Sequence, residues 1–436
     1  MKFRNIALAI TVGITSWIFA TPVKAENLAE FFSGRAITIH MGFPGGGFLA
    51  SARLVGNHMG KYIPGNPKIV FSPRPGRTGT AVLDFIAQWA PKDGTHLAMP
   101  GSLGPWMPLL SDTPIKYDPL KLVYIGNVNS AGDTYLFTRA DAGIKSLADL
   151  KIKSLRVSNA RGAYRNFVAA LNNILGTKIT YIGDYPAHRD AFIAMIRGNT
   201  QGVAGAGVTI GAEHRHYFPN LLKDGEVIPI LRYSANTKST THPNVPIAGQ
   251  SANTETQKKA LEIVFANQVL DRPIVGPPGM SSVTLKVFQD AFMRAMKDPA
   301  LIAEAKAKKL GIESPMSGIE MKAFVLRIFA LPDAAKSMAK RALRDSSFVK
   351  HVKYSTFKAQ LMKIKPKGKS PHAVLLFKSK EKSIVVHLDA RTTILNAYGR
   401  DITIPPFKLR SLTHGMICEI SWTGHDTTAH KLTCGD

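Results

Sequence analysis

The sequence predicts an α/β protein with mostly parallel sheets, followed by a separate small all-β domain. Three observations carry this. Between Ile37 and about Val264, short apolar runs alternate with helical patterns, the order expected of layered α/β structure. Small-residue, glycine-rich junctions recur where the apolar runs give way to helices. From about Asp345 onward the helical periodicity stops and short alternating runs take over.

In chain order, MKFRNIALAITVGITSWIFATPVKA comes first. Lys2 and Arg4 form a basic head, Ile6 to Ala20 an apolar core, and Val23-Lys24-Ala25 a small-residue ending. This reads as a secretory leader (1–25) cleaved after Ala25, with Glu26 as the mature start of a soluble, exported protein. The alternative is an uncleaved anchor, but the apolar core is short against a bilayer span of about 20 residues.

ITIHMGF then reads as a strand and FLASARLVGNHMGKYI as a helix, with Gly45, Gly46 and Gly47 between them. Glycine loses the most backbone freedom on folding, so three in a row call for a sharp turn or a close-lying ligand. PKIVFSP and HLAMPG are further strands, with TAVLDFIAQWA a helix between them. LVYIGNV, TYLFTRA, SLRVSNA, KITYIG, GVAGAG and EVIPILRYSA continue the strand series. RNFVAALNNILG and AHRDAFIAMIRG are helices within it. Junctions like the first follow at 75–79, 100–104, 159–163 and 183–187. Ligands of open parallel sheets sit at the carboxyl ends of strands, where helix N-termini favour anions. Five such junctions imply one shared cleft.

DRPIVGPPGMSS reads as a loop before two helices, with Ser281 or Ser282 as cap. SGIEMKAFVLRIFAL and AAKSMAKRAL are further helices. The tail 345–436 reads as a small β-barrel or sandwich, whose strands are FKAQLMKIKPKG, HAVLLFKS, SIVVHLDA, TTILNAYGRDITI, MICEISWTG and AHKLTC.

Charge and cysteines narrow the partners. The 436 residues hold 56 Lys and Arg against 30 Asp and Glu, a formal net charge of +26. That excess favours anions in general, while export argues against nucleic acid. The two cysteines, Cys418 and Cys434, lie outside any zinc spacing, so no metal site is expected. Their midpoint is Asp426. A symmetric hairpin places them opposite each other for a disulfide; a single unpaired residue would put them on opposite faces. There is no GxSxG, HExxH or complete dinucleotide fingerprint. His40, His58, His96 and His188 lack a companion motif, so no enzyme and no cofactor are expected.

The ordered set ITIHMGFPGGG, GKYIPGNPKIVFSPRPG, APKDGTHLAM, YDPLKLVYIGN, YIGDYPAHRDAFIAMIRGNTQGV, HPNVP and RPIVGPPGMSSVTLKVFQDAFMRAMKDPALIAEAKAKKLGIE resembles the extracytoplasmic solute receptors of tripartite tricarboxylate transporters, the Bug family. The resemblance covers roughly residues 35 to 325. It implies a two-lobed periplasmic binding protein of the Venus flytrap kind. Lobe one would comprise 26–128 and 241–340, and lobe two 129–240. A small carboxylate would rest on backbone N–H groups, and membrane permease subunits would receive it from a monomeric receptor. By matching position, lobe one offers Phe43, Gly45, Gly46, Gly47, Phe48, Gly76, Arg77, Thr78, Gly79 and Ser102. Lobe two offers Arg161, Gly162, Ala163, Tyr164, Asp184 and Tyr185. Phe48-Leu49, PGRTG and ARGAYRN depart from the family's usual residues. Arg77, Arg161 and Arg165, with His188 and Arg189 nearby, add cations, and Phe48, Tyr164 and Tyr185 add stacking surface. The expected ligand is thus an organic anion with an apolar or aromatic part. Each Arg equally fits a solvated helix face, Phe48 equally fits core packing, and Asp184 equally fits a turn. Two other roles stay open: ligand sensing, and surface interaction through the lysines of KIKPKGK, which would line one face of a strand or simply protect its edge.

Overall fold

The computed structural model describes residues 28–43, 46–76, 79–129, 134–160, 164–185, 188–207, 224–234, 242–308, 310, 312, 314–351, 355–366, 373–379, 382–388, 393–396, 412, 415–422 and 431–435. The expected leader at 1–25 lies outside them.

The chain first lays down β1 (Ala36–Met41), β2 (Lys68–Pro73), β3 (His96–Met99) and β4 (Val123–Asn127). It then forms β5 (Thr134–Arg139), β6 (Leu155–Ala160), β7 (Ile179–Tyr185), β8 (Gly202–Gly207) and β9 (Val227–Arg232). Next come β10 (Pro273–Gly276), β11 (Met316–Ser317) and β12 (Val349–His351). Three six-stranded sheets result. The first has order β11-β4-β10-β3-β1-β2 and the second β12-β7-β6-β8-β5-β9. In the first, β1 pairs in parallel with β2 and β3, while β10 runs antiparallel between β3 and β4. In the second, β12, β7, β6 and β8 are parallel, and β5 is antiparallel to both β8 and β9.

The loop expected at DRPIVGPPG contains a strand. Pro273 opens β10, the position where a missing N–H breaks no ladder bond. All four of its residues are buried in mid-sheet. The short apolar run between Pro and Gly was the available signal. The helix Ser282–Met296 that follows is capped by Ser281, whose side chain accepts from the Thr284 N–H at 3.1 Å. The helix Gly318–Phe329 begins with a capping box between Ser317 and Glu320.

Two crossings between the sheets are bound together by one buried side chain. The Asn127 amide donates to Asn129 O at 2.8 Å and to Val269 O at 3.0 Å. Its carbonyl oxygen accepts from the Arg272 N–H at 3.0 Å. The returning chain serves both sheets. The helix Ser282–Met296 packs on β4 of the first, while the helices Glu255–Phe265 and Asp333–Arg344 pack on the helix Tyr164–Leu175 of the second. Gln257 donates to Ile174 O, and Asn173 to Ala342 O. The second sheet's edge strand β12 is formed by residues 349–351, ahead of the C-terminal sheet.

The C-terminal sheet is built from β13 (Ser355–Pro366), β14 (Ala373–Ser379), β15 (Lys382–Leu388), β16 (Thr393–Asn396), β17 (Ile417–Trp422) and β18 (Lys431–Gly435), in order β15-β14-β13-β17-β18-β16. Its buried face holds Ala359, Leu361, Leu375, Phe377, Val386, Ile420 and Leu432. Lys358, Gln360, Lys378 and Glu419 alternate with them on the exposed face. Cys418 and Cys434 are direct cross-strand partners, and their sulfurs are bonded at 2.07 Å.

Candidate functional site

The carboxyl edge of the first sheet converges on a corner of bare backbone. Gly42 follows β1, Gly79 follows β2, and Gly101 follows β3. The Gly42 N–H donates to Met99 O at 3.0 Å, and the Gly101 N–H to Gly79 O at 3.1 Å. A Cβ at Gly42 would lie 2.6 Å from Gly79 O. One at Gly79, where φ is +85°, would lie 2.9 Å from Gly101 N. Side chains are thus excluded at Gly42 and Gly79, and the junctions at 75–79 and 100–104 are in contact through their main chains, with Gly42, at the end of β1, against both.

Gly46 and Gly47 open the helix Gly46–Met59. The expected turn is therefore shorter than the glycine run: two of its residues already belong to the helix, and Gly45 lies outside the described residues. Phe48, in the same first turn, packs against the core and lies 4.9 Å from the Phe43 ring, centroid to centroid. Both rings are half-buried. Gly76 is exposed with φ +137°, Ser102 is half-buried, and Arg77 and Thr78 lie outside the described residues.

A cation from later in the chain stands at this corner. Arg272 immediately precedes β10, whose first residue pairs with Asn127 at the end of β4. Its guanidinium carbon is 5.6 Å from the Phe48 ring centroid, and its Nη1 donates to Asp271 Oδ2 at 2.6 Å. Burial pushes the Asp271 carboxyl up, against the opposing pull of Arg272 and Asn129. Sequence reasoning missed this pair. Its only signal was DRP standing before an apolar run, which reads equally as a turn.

The second sheet's carboxyl edge is built from side chains. Asn159, fully buried near the end of β6, donates to Ala204 O and Gly205 O, at 2.5 and 2.8 Å. Ser158 donates to Ala191 O at 2.7 Å. Gly205, with φ +95°, lies beneath the Tyr164 ring, only 2.0 Å from where its Cβ would stand. Tyr164 is half-buried and meets Phe167 edge-on. Tyr185 is buried beside Ile182, Ala191 and Ala194, so its ring belongs to local packing; burial pushes its hydroxyl up to about 12. Arg161, Gly162 and Ala163 lie outside the described residues, as do the side chains of Asp184, His188 and Arg189. Arg165 is exposed.

Three of the four histidines considered above have partners. His40 is buried and accepts at Nδ1 from Arg74 Nε, 3.1 Å away, so its Nε2–H donates to His96 Nδ1 at 2.9 Å. Burial first, then Arg74 and His96, lower its pKa to about 4. His58 lies between Asp298 and Glu304, at 3.2 and 2.8 Å. Among the described residues, no group of three His, Cys, Asp or Glu side chains is placed to hold a metal ion, and no helix is long and apolar enough to cross a membrane.

The architecture, among the described residues, is two six-stranded mixed α/β sheets joined by two crossings, with a third sheet at the C-terminus. No protein-family model matches the chain, and no curated protein matches it in sequence. Among solved structures it is similar to a TctC solute-binding protein from Polaromonas. That match has 18% identity and a TM-score of 0.53, and covers 71% of this chain and 99% of the other. Similar structures also include malate-bound MatC from Rhodopseudomonas palustris (17% identity, 72% and 100% covered, TM-score 0.48) and an adipate-bound protein of the same organism (13%, 70% and 97%, 0.49). The Polaromonas likeness establishes a shared fold, and its TctC description agrees with the resemblance carried by the motifs.

Proposed function

We propose that this chain is an extracytoplasmic solute receptor of the tripartite tricarboxylate type. It captures a small organic carboxylate between two lobes and passes it to membrane permease subunits. The observation that carries this reading is the convergence of Gly42, Gly79 and Gly101 at the carboxyl edge of the first sheet, beside the N-terminus of a 14-residue helix. The glycines bring backbone close, and the first-turn N–H groups of that helix with its dipole suit a carboxylate there. Two crossings tied by Asn127 supply a hinge, and closure on the ligand requires no covalent step. The Polaromonas fold and the predicted leader agree with a periplasmic location. The exposed lysines Lys358, Lys363 and Lys378 of the C-terminal sheet favour an additional surface-contact role for that domain.

The test is a thermal-shift screen of the mature chain against organic acids, with native mass spectrometry of co-purifying molecules. A true ligand at a hundred times its Kd stabilises by about 2.7 kcal/mol, a shift of several degrees. A screen in which no acid raises Tm, together with an empty native mass spectrum, refutes the reading.

A further inference from the structure

We infer that Arg272 is an anion anchor at the base of the cleft, and that Asp271 is its internal counter-ion, displaced when a carboxylate binds. The inference rests on the receptor reading above and adds a residue pair to it. The first argument is position. Strand β10 runs antiparallel between β3 and β4, so its leading end lies at the carboxyl edge where β1, β3 and β4 finish. Arg272 precedes that end. It therefore shares the edge with Gly42 and Gly101, although it comes more than 150 residues later in the chain.

The second argument is environment. The guanidinium lies beside Phe48, in the first turn of the helix that the glycine run opens. An Arg against a ring face keeps its planar fork oriented and less hydrated than an ammonium, which suits it to grip a carboxylate.

The third is unspent hydrogen bonding. A guanidinium carries five N–H donors. Among the described residues the Arg272 fork makes one hydrogen bond, from Nη1 to Asp271, and its buried Nε has no partner. The side chain is only 20% exposed. A buried, charged donor set engaged by a single adjacent carboxylate is satisfied better by a second, bidentate one. Asp271 holds the charge in balance until that partner arrives, so it competes with the ligand.

This opposition gives the test its shape. In the full-length mature chain, Arg272→Gln, Arg272→Lys and Asp271→Asn are titrated with succinate and with phenylacetate by calorimetry, and each variant's ligand-free Tm is recorded. For a probe that binds the unaltered chain, Arg272→Gln is expected to weaken binding at least tenfold and Arg272→Lys by less. Asp271→Asn is expected to tighten it several-fold. A purely structural pair behaves otherwise: both substitutions lower Tm, and neither separates the affinities in opposite directions. Arg272→Gln within twofold of the unaltered chain, or Asp271→Asn weakening binding as Arg272→Gln does, overturns the inference and leaves the receptor reading standing. Failure of both probes to bind the unaltered chain overturns this inference, while the receptor reading is decided by the acid screen above. Should Arg272→Gln fail to fold, the sign of the Asp271→Asn effect decides.

Discussion

The two sheets end in corners of opposite construction. In the first, Gly42, Gly79 and Gly101 meet main chain to main chain, with no space for a Cβ at Gly42 or Gly79. In the second, the buried amide of Asn159 reaches across to the carbonyls of Ala204 and Gly205, and Tyr164 roofs Gly205. The first corner gains rigidity by removing side chains; the Gly42, Gly79 and Gly101 N–H groups donate to the Met99, Gly76 and Gly79 carbonyls, so backbone contact with a ligand falls to the first turn of the helix Gly46–Met59. The second satisfies its strand ends with side chains and gains shape. On the receptor reading proposed above, the first half would take the carboxylate and the second would set what else the ligand carries.

The comparison breaks most readily at Gly79. Gly79→Ala adds a methyl 2.8 Å from the Phe43 ring and 2.9 Å from Gly101 N, at φ +85°. Overpacking and left-handed strain together cost about 2–4 kcal/mol, seen as a Tm lower by roughly 5–10 °C. An unchanged Tm would mean that the glycines are not interlocked and that the two corners do not differ as described.

Next is acid. The first corner stands on a titratable brace, Arg74–His40–His96, whereas the second rests on Ser158 and Asn159, which do not titrate. His40 stays neutral down to about pH 4 in the folded chain, while an unfolded histidine protonates near 6.5. Its contribution is complete above 6.5 and is lost as pH falls from 6.5 to 4, at most about 3 kcal/mol. Urea midpoints across that window should fall in the unaltered chain and fall less in His40→Asn. Equal slopes would remove His40 from the acid response.

A smaller loss is expected from Asn159→Ala, which leaves the Ala204 and Gly205 carbonyls without their donor, at about 1–3 kcal/mol. Chemical denaturation measures it. A near-zero change would show that the second corner does not depend on that amide.

These effects also mark what the sequence made legible. The strand and helix series, the tail's six strands and the symmetric cysteine pairing follow from periodicity and spacing, which are local signals. The glycine junctions could be read because a missing side chain is visible in one dimension. Strand β10 was hidden by its prolines and its length of four residues. Arg272 was hidden because only the antiparallel return of β10 brings it beside Phe48. Asn127 and Asn159 are ordinary polar residues until burial turns their amides onto main-chain carbonyls. Tyr185 reads as a stacking ring in sequence, yet the fold turns it into its own lobe.

The smallest effect concerns Phe48, where the corner meets the Arg272 guanidinium. Phe48→Leu keeps most of the apolar contact with Phe43 and the core, and removes the ring face 5.6 Å from the Arg272 guanidinium. A double-mutant cycle of Phe48→Leu with Arg272→Gln, followed by Tm and urea midpoints, should return a coupling of about 0.5–1 kcal/mol. That value is small because the pair is half-buried and Asp271 already neutralises the arginine. A coupling of zero means the ring serves only the core. The first corner would then be bare backbone throughout, and its anion recognition would fall to N–H groups alone.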